Sequence, residues 1–382
     1  MTQRFTRRAG ALAIIGFAAA TAVACSAPQA DSPATTGSAS EGAVDAATAT
    51  SAEDFGGMEA LVEAAKAEGQ LNVIALPPDW ANYGEVIAGF EAKYPEITVT
   101  SDQPDASSAD EIATAKRLQG QDGAPDVFDL GAAVALANTD MYAPYKVATW
   151  DDIPADFKDP DGLWVNDYGG YMSIGYDSAV LPAPTSVADL LKADYAGKVA
   201  LNGNPTEAGA AFAGVQMVSV AQGGTVGDLS AGVDFFAQLK AAGNFIPVDP
   251  TPATVESGQT PLVIDWDYLN ASLTDSLPTW TVMVPQEAVV AGYYYQAFNA
   301  DAPNPAAARL WQEWLYSDEG QNLWLKGGAR PIRMDAMTEA GTIDEAAAAA
   351  LPEVTGTPIV PSQADAETGK QYLAENWANA VG

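Results

Sequence analysis

The sequence has no histidine and only one cysteine among its 382 residues. The missing histidine excludes Ser-His-Asp and Cys-His catalytic sites and imidazole metal ligands. A single cysteine excludes an internal disulfide, a thiolate zinc cluster and a CxxC redox pair. The sequence also has no Gly-rich phosphate loop, nucleophile elbow or metal-ligand spacing. We therefore predict no catalytic residue, no cofactor and no metal site.

Basic residues are scarce, with 17 Lys and Arg against 50 Asp and Glu, and the formal net charge is -33. This balance argues against a nucleic-acid partner, because phosphate contacts need clustered Lys and Arg. An acidic surface suits a cationic ligand, although it is also typical of an ordinary solvated surface. The length and the 48% apolar content are sufficient for two domains with well-packed cores.

The first 24 residues are typical of a secretory signal. Arg4, Arg7 and Arg8 precede an apolar run over residues 11–23, which is too short to be a comfortable permanent membrane span. The run ends in Ala22-Val23-Ala24-Cys25, which resembles a lipoprotein signal box with Cys25 as the lipidated residue. The alternative is that Cys25 is an incidental residue of a cleaved peptide.

Residues 26–54 contain one Val and no other large apolar residue. Such a segment buries too little apolar surface to offset its chain entropy. We therefore predict a signal over residues 1–24 and a lipidated, disordered tether over residues 25–57. The protein would be secreted and held by its lipid on the outer face of the cytoplasmic membrane, at the cell surface or in the periplasm.

The remaining sequence alternates short apolar runs with amphipathic segments, which predicts an α/β fold with a largely parallel sheet. Strands are expected at 71–76, 97–100, 126–130, 171–176, 198–201, 262–265, 280–284 and 296–299. Helices are expected at 60–68, 85–94, 109–118, 187–191, from 207, at 233–242 and over the whole of 306–325. The predicted lobes are 58–172 for the first, 173–284 for the second, and 285–382 for the return to the first.

The order of these elements resembles the two-lobed, Venus-flytrap fold of bacterial ABC-transporter solute-binding proteins. The resemblance rests on six stretches, at residues 71–83, 90–99, 124–129, 174–178, 194–200 and 314–321. It implies a monomer that is not an enzyme, that holds a small polar solute in the cleft between the lobes, and that delivers the solute to the transmembrane permease.

Four candidate ligand residues follow the first predicted strand: Asp79, Trp80, Asn82 and Tyr83. They resemble the Trp-x-x-Tyr loop of polyamine-binding relatives, in which aromatic faces hold an aliphatic amine. Asn82 stands where those relatives tend to have an acid. The alternative is that the two aromatic residues pack within the lobe.

Four further candidates, Asp265, Trp266, Asp267 and Tyr268, end a buried strand. Carboxylates around an indole suit an ammonium group. Strand alternation places Asp265 and Asp267 opposite Trp266, so one or two of these three side chains are expected to face inward. The alternative is a helix-capping Asp and a packed Trp.

The remaining candidates are Tyr293, Tyr294 and Tyr295, with Thr206 and Glu207 before a small-residue helix. Adjacent tyrosines resemble the phenolate ligands of ferric-iron-binding relatives. Thr206 is a candidate N-cap, and a helix start of this kind also suits phosphate or phosphonate oxygens.

The leading hypothesis is therefore a cationic amine such as putrescine or spermidine. The alternatives are an aminoalkylphosphonate or phosphate ester, ferric iron, a secreted carboxylate-dependent hydrolase, and a surface protein that has lost transport.

Overall fold

The structure is a computed structural model that describes residues 45–382. The predicted signal, Cys25 and most of the predicted tether lie outside these residues. The first half contains α1 and β1, α2 and β2, α3 and β3, then α4 and β4, with bounds Met58–Glu68, Gln70–Ile74, Tyr83–Lys93, Thr98–Asp102, Ser108–Leu118, Val127–Gly131, Ala132–Ala135 and Tyr142–Ala143.

The middle of the chain contains β5, β6, α5, α6, α7, β7, α8 and β8. Their bounds are Val165–Asp177, Val199–Leu201, Gly209–Ala221, Ser230–Ala241, Pro252–Glu256, Leu262–Trp266, Asp267–Ser272 and Trp280–Met283. The last part contains β9, α9, α10, β10, α11, α12 and α13. Their bounds are Ala291–Asn299, Pro305–Leu315, Asp318–Lys326, Arg330–Pro331, Met334–Ala340, Glu345–Ala350 and Gln363–Val381.

One curled sheet runs in the order β3-β9-β5-β7-β6. The first part of β5 pairs with β9, and its last part pairs with β7 and β8. We call the elements around β3 and β9 the first lobe and those around β6 and β7 the second lobe. β5 is continuous through the predicted lobe boundary at residues 172 and 173, so one strand joins the two lobes.

The sheet is mixed rather than largely parallel, which corrects the prediction. Among its described strands, only β6 and β7 pair in parallel, whereas β9 runs antiparallel to both β3 and β5. β1 and β2 form a separate two-stranded parallel sheet. The reason is the connectivity: β5 leaves the first lobe and β9 returns to it, so the two crossing strands run in opposite directions. Most predicted helices and strands are present, with shifts of up to six residues at their ends, but the helix predicted over residues 187–191 is a short 3-10 helix.

A second correction concerns the helix predicted over residues 306–325, which is two helices, α9 and α10. The side chain of Ser317 accepts a hydrogen bond from the backbone N–H of Gly320 and so caps a new helix start. Gly320 packs closely on the backbone of Trp314, so the two helices meet at a tight corner. Trp311, Trp314 and Trp324 are fully buried at this corner and fill the core of the first lobe.

A third correction concerns the tether. Residues 45–57 are ordered, with a 3-10 turn at Ala52–Phe55 and with Ala49 and Ala52 buried. The buried guanidinium of Arg309 donates hydrogen bonds to the carbonyls of Ala47 (3.0 Å) and Ala49 (2.8 Å). The prediction of disorder is therefore wrong for residues 45–57. Their small side chains leave backbone carbonyls free to accept hydrogen bonds from the buried guanidinium of Arg309.

Candidate functional site

A cleft of about 900 Å³ lies between the two lobes. The first lobe contributes the loop after β1 and the end of α10, and the second contributes α7, α8 and the end of β7. Residues 347–352 form a third side. The lining residues discussed below are Pro77, Asp79, Trp80, Asn82, Glu85, Asn202, Asp265, Leu269, Leu273, Asp275, Leu325, Lys326, Ala347, Ala350, Leu351 and Pro352.

The cleft is strongly acidic. Six carboxylates and one ammonium line it; the carboxylates are Asp79, Glu85, Asp105, Glu256, Asp265 and Asp275, and the ammonium is that of Lys326. The ammonium is already paired with Glu85 at 2.7 Å. A cationic solute therefore meets a favourable field here, and an anionic one meets an unfavourable field.

The loop between β1 and α2 brings Trp80 to the cleft. Ala75, Ala81 and Asn82 all have positive φ, at 56°, 46° and 64°, which is a strained conformation for residues other than glycine. The Asn82 side chain holds the loop by donating to the carbonyl of Leu323 at 2.9 Å. Strain that packing maintains in this way is common at ligand-binding loops.

Five aromatic rings form one cluster beside the cleft. Trp80 makes edge contacts with Tyr268 (6.2 Å between ring centroids) and Tyr294 (5.7 Å). Tyr168 stacks on Tyr294 at 5.4 Å, and the indole N–H of Trp80 donates to the Tyr168 hydroxyl at 2.8 Å. Trp266 lies almost parallel to Tyr268, at 6.3 Å. The first lobe, the second lobe and strand β9 thus all contribute to one aromatic surface.

Asp265 lies in the cleft at the end of β7 and is only 6% exposed. Its carboxylate accepts hydrogen bonds from the Asn202 amide and from the backbone N–H of Trp266, both at 2.8 Å. Burial raises the pKa of Asp265 to about 7, against which these two hydrogen bonds act. Among residues 45–382, no Lys or Arg forms an ion pair with it.

Asp129 lies on β3 beneath the aromatic cluster. Its carboxylate accepts hydrogen bonds from the hydroxyls of Tyr83 (2.8 Å) and Tyr168 (3.1 Å), and its Oδ1 is buried without a partner. Burial raises the pKa of Asp129 to about 7. The cross-strand partner of Asp129 is Gln296, whose amide donates to Tyr83 and extends the network.

Asp267 is placed differently from the prediction. It is the first residue of α8 rather than a strand residue, and it forms a buried ion pair with Arg330. It also accepts hydrogen bonds from the backbone N–H groups of Tyr171 (2.9 Å) and Tyr268 (3.1 Å). Its charge is therefore neutralised within the protein, which leaves Asp265 as the unpaired acid of this segment.

Only one of the three adjacent tyrosines joins the cluster. Tyr294 stacks on Tyr168, whereas Tyr293 packs against Phe157 and Tyr295 against Trp164. The cause is the alternation of side chains along β9. The structure therefore does not bring adjacent tyrosines together as a pair of metal ligands.

Three other candidates also lie away from the cleft. Tyr83 is fully buried on α2. Thr206 and Glu207 are exposed, and α5 begins only at Gly209, with Ala208 as N-cap. Thr206 is therefore not the cap that was predicted. Its N–H and hydroxyl both donate to the Asn204 side chain, in a local turn.

Sequence reasoning missed four residues of the site: Asp129, Tyr168, Asn202 and Arg330. Asp129 had a recognisable signal, because it interrupts the apolar strand between Phe128 and Leu130. The other three depend on contacts between distant segments, so no local pattern indicates them. Within residues 45–382, no group of three or more acidic, thiol or imidazole side chains is arranged to hold a metal ion.

The chain matches a family model. The model of bacterial extracellular solute-binding proteins covers residues 122–352, which is more than half of the sequence. No curated protein matches the sequence significantly. In the part of the chain that the structure describes, every helix is too short or too polar to cross a membrane.

Solved structures of the same fold are named for different solutes. The chain is similar to a ferric binding protein from Campylobacter jejuni (TM-score 0.61, 16% identity, 81% of this chain and 99% of the other). It is also similar to the periplasmic binding protein AfuA from Actinobacillus pleuropneumoniae, with fructose-6-phosphate bound (0.61, 15%, 82% and 98%). A third is the spermidine/putrescine substrate-binding protein PotD from Streptococcus pneumoniae (0.57, 14%, 82% and 99%). At these identities the likeness establishes the two-lobed α/β fold and leaves the solute open.

Proposed function

The chain belongs to the bacterial extracellular solute-binding proteins, and from that premise we propose that its solute is a small cationic amine, such as putrescine or spermidine. Members of this family bind small solutes outside the cytoplasm and interact with ABC permeases. The observation that carries the choice of solute is Asp265, a buried carboxylate in the cleft with no cationic partner among residues 45–382.

The energetics of Asp265 favour a cation. A desolvated carboxylate is costly unless an opposite charge compensates it, and the raised pKa expresses that cost. An ammonium group beside Asp265 would remove the cost through a charge-assisted hydrogen bond. Trp80 also lines the cleft, and an ammonium group over its ring would gain cation–π attraction of about 0.5–2 kcal/mol.

A solute bound at this position would contact both lobes. Trp80 belongs to the first lobe, whereas Asp265 and Asn202 belong to the second. A solute that contacts both sides has higher affinity for the closed arrangement and shifts the population toward it. The permease then recognises the closed form, as the hinge mechanism requires.

The alternative solutes have less support. A phosphate or phosphonate group needs donors, and Thr206 and Glu207 do not line the cleft. The only ammonium that residues 45–382 bring to the cleft, that of Lys326, is paired with Glu85. One observation supports ferric iron as a second candidate. The hydroxyl of Tyr268 is buried without a hydrogen-bond partner, and Tyr294 lies near it. A phenolate–iron band in the visible spectrum after addition of ferric citrate would identify that case.

The export and anchoring predictions complete the proposal. Residues 1–24 act as the signal and Cys25 carries the lipid, so that a tether ending before residue 45 holds a monomeric body near its permease. The first lobe is 58–172 with 285–341, and the second is 173–284 together with α13, which packs against α6. The protein captures its solute without chemical turnover.

A thermal-shift panel on the full chain tests the solute class. We expect putrescine or spermidine to raise the melting temperature, since a ligand at 100 times its Kd adds about 2.7 kcal/mol. Glycerol 3-phosphate, 2-aminoethylphosphonate and glucose should leave it unchanged. Trp80→Ala should weaken amine binding about 3- to 30-fold, whereas Trp164→Ala, at a ring outside the cleft, should not change it. A shift with the phosphorylated compounds alone would refute the cationic solute.

A further inference from the structure

The segment of residues 342–362, which we call the C-terminal strap, passes from the first lobe to the second. At its start, the Asn322 side chain donates to the carbonyl of Thr342 (2.9 Å) and accepts from the backbone N–H of Asp344 (2.8 Å). Asn322 belongs to α10, so this end of the strap is fixed to the first lobe.

The other end of the strap is held by Gln286, which follows β8, the last strand of the second lobe. The side-chain oxygen of Gln286 accepts three hydrogen bonds of 2.7 Å, from the backbone N–H and hydroxyl of Thr355 and from the N–H of Gly356. Ile359 then bridges to Val290, directly before β9. After the strap, α13 packs against α6 of the second lobe. The strap is therefore a third connection between the lobes, after β5 and β9.

The middle of the strap faces the cleft. Ala347 and Ala350 lie on one face of α12 at i, i+3 spacing. They line the cleft together with the C-cap residue Leu351 and with Pro352. Ala349 is exposed on another face of α12 and does not line it. Apolar residues from the two lobes also line the cleft; these are Pro77, Leu269, Leu273 and Leu325. The cleft therefore contains an apolar surface in addition to the acidic site at Asp265, and the strap forms one side of that surface.

Arg330 links the strap to the acidic side of the cleft. One of its terminal nitrogens pairs with Asp267, and the other donates to the carbonyl of Pro352 at 2.9 Å. The guanidinium also lies over the ring of Tyr171 at 4.6 Å. Because Asp267 is two residues from Asp265, this contact fixes the apolar wall relative to the unpaired carboxylate.

We propose that the strap is a specificity-determining wall of the solute site, which takes the hydrocarbon part of an amine while Asp265 takes its ammonium group. This inference rests on the proposed function and deepens it: the preferred solute carries an alkyl chain rather than a bare ammonium head. A longer chain covers more of the surface formed by Leu351 and Pro352, and affinity rises with the apolar area removed from water.

Calorimetric titration of the full chain with 1,4-diaminobutane, 1,8-diaminooctane and uncharged 1,8-octanediol tests the wall. The wild type should bind the eight-carbon diamine at least tenfold more tightly than the four-carbon one. Leu351→Asn should reduce that preference at least fivefold, through weaker binding of the eight-carbon diamine. Val360→Asn is the matched control, since Val360 lies on the same strap with 51% exposure and does not line the cleft. Melting curves verify that both variants fold.

The outcomes separate this inference from the proposed function. If the two diamines bind with equal affinity and Leu351→Asn changes neither affinity, the proposed wall is refuted and the proposal of a cationic solute is not. Binding of octanediol that Leu351→Asn weakens, with no binding of either diamine, would support the wall and refute the cation. If none of the three compounds binds, both are overturned.

Discussion

Asp265 and Asp129 are carboxylates that the fold buries without pairing them to a cation among residues 45–382. Burial raises the pKa of each to about 7, and that of Asp126 to about 6. In the unfolded chain the same groups ionise near 3.8, the ordinary pKa of an aspartate. The folded protein therefore binds more protons than the unfolded chain between about pH 4 and pH 7, and its stability falls as the pH rises through this window.

This linkage gives a prediction for the solute-free protein. Its melting temperature should be lower at pH 8 than at pH 5, because ionising the buried carboxylates has a cost only in the folded state. Asp265→Asn should flatten this dependence by removing one titrating group. Scanning calorimetry from pH 5 to 8 measures both effects. A wild-type melting temperature that rises across the window would contradict the raised pKa values.

At the scale of elements, strands β5 and β9 connect the two lobes on either side of the site. Gly292 on β9 lies directly against the indole of Trp266, so that a Cβ there would collide with the ring. The φ angle of Gly292 is negative, so any residue could adopt this backbone conformation. Glycine is required here because the ring of Trp266 leaves no room for a side chain. The ring of Trp266 in turn lies beside Tyr268 of the aromatic cluster.

Gly292→Ala should therefore displace Trp266 and disturb both stability and binding. We expect a loss of about 1–3 kcal/mol in the free energy of unfolding, as for other overpacked sites. Amine affinity should also fall, because the cluster shifts. Gly123→Ala is the control, since a Cβ there meets no atom within 4 Å and the backbone is not left-handed. Denaturant titration with parallel calorimetry measures the two quantities; equal behaviour of the two variants would refute the role of this close approach.

The sequence predicted the order and type of most elements because apolar periodicity reports burial directly. It failed where tertiary contacts or local caps decide. The break between α9 and α10 had a visible signal, since Ser317 precedes two acids in the manner of a helix start. Residues 45–57 had none, because their order depends on Arg309, more than 250 positions later. At the site, local patterns predicted Trp80 and Asp265 as candidates, whereas the neutralisation of Asp267 by Arg330 became visible only in the fold.

At the scale of the whole molecule, the net charge of -33 and the acidic cleft act in the same direction. The field concentrates cations near the cleft and favours their approach, although salt screens this effect beyond about 10 Å. Three connections, β5, β9 and the strap, join lobes that both contribute to the site. In the proposed function, selectivity depends on the short-range contacts at Asp265 and Trp80 rather than on total charge.

The most direct test of the cationic site is equilibrium titration of the full chain with spermidine at pH 8, in three forms: wild type, Asp265→Asn and Asp275→Asn. Both substitutions remove one negative charge from the cleft, and only the first removes the buried, unpaired carboxylate. A charge-assisted hydrogen bond contributes about 1.5–3 kcal/mol, so Asp265→Asn should weaken binding about 10- to 100-fold and Asp275→Asn less than threefold. Equal affinities for the wild type and Asp265→Asn, or no binding of spermidine to the wild type, would contradict the account.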